Sequence, residues 1–313
     1  MTRFLVTGAS GLLGLNFALR YCQENEVIGQ VNQHGLTGVP FRVIQSDLSQ
    51  ADAAGRLLEQ THPDVVVHCA ALANLEACEA DPRLAQKINT IVPGELAALC
   101  ARQNIRMVHL STDAVFDGQQ GNYLETDSPN PLSVYARTKL EGEQAVARAN
   151  PDAIIARVNF YGWSLGGTRS LAEFFVNHLS AGKPVRGFTD VFFCPLEAGE
   201  LAELLVLMVR SGLSGLFHSV SRECLSKFEF GKAIADCFGF DGSLVQPSSW
   251  KDAGLVAARS PDLTLNTGKL SSALGIALPG QEAGLKRFYQ LYQEGFPNRI
   301  REMAQYHDGP ERK

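Results

Sequence analysis

Short apolar runs alternate with longer stretches of helical spacing through the first half of the chain. Six of the short runs have the pattern of strands, and three consecutive valines, Val65 to Val67, are typical of a strand covered on both faces. The six predicted strands span residues 3–7, 26–31, 41–44, 64–68, 106–111 and 153–158.

Helical patterns fill the intervals between these strands. They span residues 12–21, 82–103 and 134–149, and a further helix is expected after Asp47-Leu48-Ser49, where Asp47 and Ser49 can cap its start. The alternation of strand and helix predicts an α/β fold, a Rossmann-type doubly wound parallel sheet with helices on both faces.

The second half of the chain is less regular. A glycine-containing loop over 159–169 precedes a predicted helix at 170–181, a strand or loop stretch at 183–195, an apolar helix at 196–209 and a strand at 215–220 that returns to the sheet. Two or three more helices and a fraying polar tail from 299 follow. We expect residues 1–160 and 194–222 to form the large domain, 161–193 and 223–300 a smaller discontinuous substrate-binding region, and 301–313 a tail.

Composition narrows the class of protein. The chain has 313 residues, a net charge of −5, 19% charged and 45% hydrophobic residues, which excludes intrinsic disorder and is enough for a large core. Lys and Arg form no run longer than a pair, so we expect neither nucleic acid nor a membrane as a partner, although a local basic pocket remains allowed. We expect no signal peptide, no membrane span and a cytoplasmic protein.

The seven cysteines are odd in number, irregularly spaced and without a CxxC pair. We therefore expect neither a disulfide framework nor a structural zinc, and most of these cysteines to be small buried apolar residues. No cluster of His, Cys, Asp and Glu has the spacing of a metal site.

A glycine-rich turn follows the first strand. Gly8, Gly11 and Gly14 form GxxGxxG, a variant of the dinucleotide fingerprint. The first glycine allows the tight turn, the second leaves room for a pyrophosphate, and the third lets helix and strand approach. The helix N-terminus attracts phosphates. The cofactor site is therefore expected to include this turn, with Ser10, Leu12 and Leu13.

The end of the second strand selects between NAD and NADP. Residues 30–34 (QVNQH) contain neither the acid that binds the ribose of NAD nor an arginine for the phosphate of NADP. The missing carboxylate favours NADP weakly. Asp47 and Leu48 lie where a side chain can face the adenine, unless Asp47 only caps a helix.

A tyrosine and a lysine lie four residues apart on a predicted helix. Tyr135 and Lys139 share one helix face, so the ammonium should lower the pKa of the phenol and make it a proton donor to a carbonyl. Ser111 and Thr112 end the preceding strand, where hydroxyls point into the crevice that binds ligands in such sheets. These features together predict a short-chain dehydrogenase/reductase site.

The chain resembles an extended short-chain dehydrogenase/reductase, and within that superfamily is similar to the dTDP-4-dehydrorhamnose reductase family, over nearly its whole length. The motifs that carry the resemblance are 7–14 (TGASGLLG), 63–71 (PDVVVHCAA), Asn89, 111–118 (STDAVFDG), 131–143 (PLSVYARTKLEGE), 215–218 (GLFH) and 259–267 (RSPDLTLNT).

The resemblance implies hydride transfer from reduced nicotinamide to the 4-keto carbon of a nucleoside-diphosphate deoxysugar, in a homodimer that needs no metal. Its implied catalytic residues are Thr112, Tyr135 and Lys139. Its implied cofactor contacts are Ala70, Ala71, Leu72, Asn89, Ser111, Tyr135, Lys139, Val158 and Phe160. Its implied substrate contacts are Thr112, Asp113, Ala114, Tyr135, Phe160 and Arg259.

Two departures from the family pattern affect the sugar pocket. Ala114 stands where these reductases usually have an aromatic residue, and Phe160 stands in place of a substrate-side tryptophan. Ala114 also argues against a 4,6-dehydratase, which has a glutamate there. A regulatory protein that binds NADP without turnover, like the regulatory subunit of methionine adenosyltransferase, and a sugar-nucleotide epimerase remain alternatives.

Overall fold

The protein is described by a computed structural model over residues 1–252 and 260–304. Its strands are β1 (Arg3–Thr7), β2 (Glu26–Val31), β3 (Arg42–Gln45), β4 (Val65–His68), β5 (Arg106–Thr112), β6 (Ile154–Val158), β7 (Phe160–Tyr161), β8 (Val185–Phe188), β9 (Phe192–Phe193), β10 (Leu196–Glu197), β11 (Gly215–His218), β12 (Leu225–Ser226) and β13 (Val245–Ser248). Its helices are α1 (Leu12–Tyr21), α2 (Ala53–Thr61), α3 (Leu75–Ala80), α4 (Pro82–Gln86), α5 (Val92–Arg102), α6 (Val134–Ala149), α7 (Leu171–Ser180), α8 (Ala198–Arg210), α9 (Lys227–Phe238), α10 (Gly268–Leu274), α11 (Gln281–Gln293) and α12 (Phe296–Glu302).

Seven strands form one parallel sheet in the order β11-β6-β5-β4-β1-β2-β3. The chain builds outward from β1 in one direction and then crosses over to build from β4 in the other. This is the doubly wound topology, and it confirms the predicted fold class. Such sheets bind ligands where the winding reverses, outside the carboxyl ends of the strands, which here is the β1/β4 boundary.

Alternating side chains of β1 bury both faces of the sheet. Phe4 and Val6 pack in the core formed with α1 and α8, whereas Leu5 packs in a second core with α2 and α5. The period of two along a strand explains this division, because successive side chains point to opposite faces.

Although α8 and β11 return to the large sheet, other parts of the chain after β7 form a smaller lobe. Its core is rich in aromatic rings from β7, α7, α9 and α11, and β8 pairs with β13 while β9 pairs with β12. Trp163 stacks on Phe288 with ring centroids 4.0 Å apart and donates its Nε1–H to the Phe288 carbonyl. The expected division into residues 1–160 with 194–222 and 161–193 with 223–300 stays a prediction.

Several predicted elements differ from the observed ones. The helix expected after Ser49 begins at Ala53, because Asp47 accepts hydrogen bonds from Ser49 and Gln50 in a separate turn. The long helix expected over 82–103 is interrupted by a π-helical turn, Lys87–Ile91. The part of the tail that was expected to fray includes most of α12.

The expectation of no disulfide was wrong for one pair, since Cys194 and Cys224 are bonded. These cysteines directly follow β9 and precede β12, and the antiparallel pairing of those strands brings them face to face. Sequence spacing gave no signal for a pair that the tertiary fold creates.

Across residues 1–252 and 260–304, no helix combines the length and apolar character needed to cross a membrane. The same residues contain no group of three or more His, Cys, Asp or Glu side chains able to hold a metal ion.

Candidate active site

A cavity of about 310 Å³ lies outside the carboxyl ends of the central strands. Most of the residues that line it were predicted from sequence: Gly8, Gly11, Leu12, Leu13, Gly14, Ala71, Ser111, Tyr135, Lys139, Val158 and Phe160. Four others were not predicted: Cys69, Ala73, Leu110 and Arg169. The glycine turn and the Tyr–Lys pair therefore face the same space.

The glycine turn is shaped by close approaches that side chains would block. Gly8 has φ +66°, and a Cβ there would lie 2.8 Å from the Ala70 backbone. A Cβ on Gly14 would collide with the Gly8 carbonyl oxygen. Gly11 is the N-cap residue of α1, whose first turn holds no acidic side chain. The N–H groups of that turn have no partner within the helix, so an anion can bind there.

The Gln30 side chain is hydrogen-bonded to the glycine turn, a role that was not predicted from the sequence. Its Oε1 accepts a hydrogen bond from the Gly8 N–H at 3.0 Å, and its Nε2 donates to the Ser46 carbonyl. The side chain is 2% exposed. The available signal was an uncharged amide among the apolar residues that follow Glu26 in β2.

The two residues predicted beside the adenine lie differently. Leu48 is 6% exposed and packs in the core with Leu57 and Leu58, and its contact with the cofactor stays a prediction. Asp47 accepts hydrogen bonds from Ser49 and Gln50, which lower its pKa. Its carboxylate is thus occupied in stabilising a local turn.

Helix α6 presents Tyr135 and Lys139 to the cavity. Ser133 caps its first turn by accepting from the Ala136 N–H. Lys139 is 3% exposed and donates to the Leu110 carbonyl. Burial lowers the pKa of Lys139 to about 8, while the negative charge of Glu143 opposes that shift.

The expectation that Lys139 lowers the pKa of Tyr135 was wrong. Burial raises the pKa of Tyr135 to about 12, with a further contribution from the charge of Asp113, and the hydrogen bond with Thr112 only partly offsets both. The phenol is therefore held in its protonated form at neutral pH, which suits a proton donor.

Thr112 ends β5 beside a buried carboxyl group. Its hydroxyl donates to Asp113 Oδ1 at 3.0 Å, and Asn159 donates to Asp113 Oδ2. Burial raises the pKa of Asp113, against the lowering effect of these hydrogen bonds. Neither Thr112 nor Asp113 lines the cavity itself, and nor does Ala114, so their substrate contacts stay predictions.

A buried ion pair between Arg157 and Glu143 fixes Ser111, a residue that lines the cavity. Arg157 donates through two nitrogens to Glu143, at 3.0 and 2.8 Å, with side chains 3% and 6% exposed. Glu143 also accepts from the Ser111 hydroxyl. Ser111 is thereby fixed at the end of β5, next to the cavity.

Asn89 lies in the π-helical turn, away from the cavity. Its side chain bonds both the N–H and the carbonyl of Leu72, at 2.9 and 3.0 Å, and donates to the Thr138 hydroxyl. Gly142 makes room for it, because a Cβ there would collide with the Asn89 carbonyl oxygen. Asn89 thus joins the β4 loop to α6, and a contact with cofactor stays a prediction, as it does for Leu72, Ala70 and Ser10. Arg259 lies outside the described residues.

Comparison with known proteins agrees with this geometry. The family model described as RmlD substrate binding domain matches residues 2–294. A relative from Haloferax volcanii, named "Probable low-salt glycan biosynthesis reductase Agl14", is 36% identical over 90% of this chain and 95% of its own. The dTDP-4-dehydrorhamnose reductase of Mycobacterium tuberculosis is 33% identical over 79% of each chain.

Two further comparisons concern a relative that is not named as a reductase and a solved structure. Methionine adenosyltransferase 2 subunit beta of Rattus norvegicus is 31% identical over 88% of this chain and 83% of its own. The crystal structure of a dTDP-4-dehydrorhamnose reductase from Clostridium acetobutylicum aligns with a TM-score of 0.79 and 26% identity, over 93% of this chain and 99% of that one. Sequence and fold agree over nearly the full length, and the chain belongs to the RmlD substrate-binding-domain family of extended short-chain dehydrogenase/reductases.

Proposed function

We propose that this protein is an NAD(P)H-dependent reductase that converts the keto group of a nucleoside-diphosphate 4-keto-deoxysugar to an alcohol. The observation that carries the proposal is the meeting of Tyr135, a buried Lys139 and the glycine turn at one cavity. The named reductases among its relatives support the substrate class.

A dinucleotide fits the residues that are present. Gly11 and Gly14 line the cavity without side chains, and the first turn of α1 offers N–H groups to a pyrophosphate. Val158 and Phe160 supply apolar surface at the other end of the cavity. When bound, the reduced nicotinamide supplies a hydride to the carbonyl carbon.

The protein's own part in the reaction is proton transfer. As the carbonyl carbon gains the hydride, negative charge develops on its oxygen, and Tyr135 Oη donates its proton there. Thr112 would donate a second hydrogen bond to that oxygen once substrate has replaced its Asp113 contact. Lys139 lines the same cavity and would bind the nicotinamide nucleotide there.

The nucleotide half of the substrate has a candidate site in the smaller lobe. A second cavity of about 280 Å³ is lined by three phenylalanines and two cationic side chains, together with a leucine and a serine: Phe174, Phe175, Phe188, Arg186, Lys227, Leu171 and Ser248. Rings stack on a base and guanidinium binds a diphosphate. The cavity lies between α7, β8 and the first residue of α9, Lys227.

The preference for NADP over NAD rests on the absence of a carboxylate after β2. Its end carries Asn32, Gln33 and His34, which are exposed and include no carboxylate to repel a phosphate. A homodimer is also part of the proposal. Exposed apolar side chains on elements that contact or precede α6 support it: Leu84 on α4, Ile91 in the π-helical turn and Leu132 before α6.

The test is consumption of NADPH by the purified protein with a panel of dTDP- and UDP-linked 4-keto-6-deoxysugars. We expect loss of the nicotinamide absorbance with at least one of them, and Tyr135→Phe should slow it by about 100-fold or more, because it removes the proton donor. Tyr135→Phe should still bind NADPH.

The regulatory alternative is favoured by the similarity to methionine adenosyltransferase 2 subunit beta. Tight NADPH binding without consumption across the panel would support it and contradict a reductase. An epimerase would interconvert sugars without net consumption of NADPH.

A further inference from the structure

Arg169 lies on the loop between β7 and α7 and lines the cofactor cavity together with the glycine turn. It is exposed, and none of the ion pairs of the described residues includes it. No carboxylate lines this cavity. A guanidinium without a partner therefore faces a space that contains no acid.

The loop that carries Arg169 is held rigidly. The buried Glu173 carboxylate accepts hydrogen bonds from the backbone N–H groups of Ser164, Arg169 and Ser170, at 2.7, 2.9 and 3.0 Å. The Ser170 hydroxyl also donates to the Gly162 carbonyl. The backbone of Arg169 is thus fixed while its side chain stays available, and such preorganisation reduces the entropy lost on binding.

The same loop is tied to the helix that starts at the glycine turn. Asn16 of α1 donates to the Trp163 carbonyl at 2.9 Å, and a Cβ on Gly162 would approach Leu12 to 3.3 Å. The loop therefore lies against the first turns of α1. Arg169 and the N-terminal residues of α1 both line the cavity in which an anion would bind.

We propose that Arg169 binds the cofactor's pyrophosphate from the side opposite the α1 N-terminus. The proposal rests on the proposed use of a nicotinamide dinucleotide. A pyrophosphate offers paired oxygens that match the planar fork of a guanidinium, which lysine cannot reproduce. The family motifs do not include position 169, and the assignment depends on geometry alone.

The test compares Arg169→Ala, Arg169→Lys and Arg148→Ala for binding of NADPH and NADH, followed by nicotinamide fluorescence without substrate. Arg148 is an exposed arginine in the last turn of α6, so its variant changes the net charge equally. We expect Arg169→Ala to raise both dissociation constants about 10–100-fold. Arg169→Lys should lie between it and the unmodified protein, and Arg148→Ala should change neither constant.

Three outcomes would overturn the assignment. Unchanged binding of both cofactors would show that Arg169 does not contact them. Weaker binding of NADPH alone would assign it to the 2′-phosphate, and weaker binding of the sugar nucleotide alone would assign it to the substrate. If the unmodified protein bound neither cofactor, the proposed function itself would fail. Melting temperatures matching the unmodified protein would show that the variants fold.

Discussion

A group of charged side chains lies where α8 meets α11, and burial shifts the pKa of one of them, Glu200. Arg287 of α11 pairs with Glu197 at 3.3 Å and with Glu203 at 2.9 Å. Glu200 lies between these two glutamates in the sequence. Its carboxylate and the Tyr161 hydroxyl both lie close to the position that a Cβ on Gly284 would take. Burial, and then the charge of Glu197, raise the pKa of Glu200 to about 7 from 4.5.

This shift predicts a pH-dependent stability. Because the folded protein holds the Glu200 proton more tightly than the unfolded chain, its contribution is full below pH 4.5 and is lost as pH rises through about 7. Glu200→Gln mimics the protonated form, so we expect its melting temperature to exceed that of the unmodified protein more at pH 8 than at pH 5.

Glu282→Gln serves as the control, since Glu282 is exposed and pairs with Lys286, which lowers its pKa. That variant should shift the melting temperature equally at both pH values. An equal shift for Glu200→Gln would contradict the account.

Residue-level predictions succeeded where the signal was local. Tyr135 and Lys139 share a cavity because positions i and i+4 lie on one helix face, which sequence alone determines. Leu48 and Arg169 depend on how distant segments pack, and no spacing in the sequence reports that. The sign of the Tyr135 shift was missed for the same reason, since burial and Asp113 act on it through the tertiary fold.

At the scale of elements, α6 and the π-helical turn before α5 position the site together. Gly142 of α6 lies against the Asn89 carbonyl, and Asn89 in turn holds Leu72 after β4. Any displacement of α6 at this point would also move Tyr135 and Lys139.

We therefore expect Gly142→Ala to destabilise the protein by about 1–3 kcal/mol, as overpacking does, despite the higher helix propensity of alanine. Urea unfolding measures it. Gly55→Ala in α2 is the matched control, because nothing lies within 4 Å of its added Cβ. Gly55→Ala should leave the free energy of unfolding unchanged or raise it. Equal changes for the two substitutions would show that the close contact between Gly142 and Asn89 does not limit stability.

The regular elements of the large sheet were predictable because buried parallel strands have a continuous apolar pattern. The smaller lobe was harder, since β9, β10 and β12 are two residues long and carry no period. The Cys194–Cys224 bond arises from the pairing of two such strands, and for that reason spacing did not reveal it.

At the scale of the whole molecule, the two cavities lie in different lobes. One is bounded by the glycine turn and α6, and the other by α7, β8 and α9. A dinucleotide in the first and a sugar nucleotide reaching from the second would bring nicotinamide and keto sugar together near Tyr135. The central claim is that a hydride is transferred from the dinucleotide to the keto sugar.

Transfer of the label from NADPH that carries deuterium at both C4 positions of the nicotinamide tests that claim most directly. After incubation with dTDP-4-keto-6-deoxyglucose or the substrate found in the panel, mass spectrometry and NMR of the product should show deuterium at C4 of the sugar. With Tyr135→Phe the label should appear at C4 about 100-fold more slowly or slower still. A product without deuterium, or bound NADPH that transfers none to any sugar of the panel, would contradict the account.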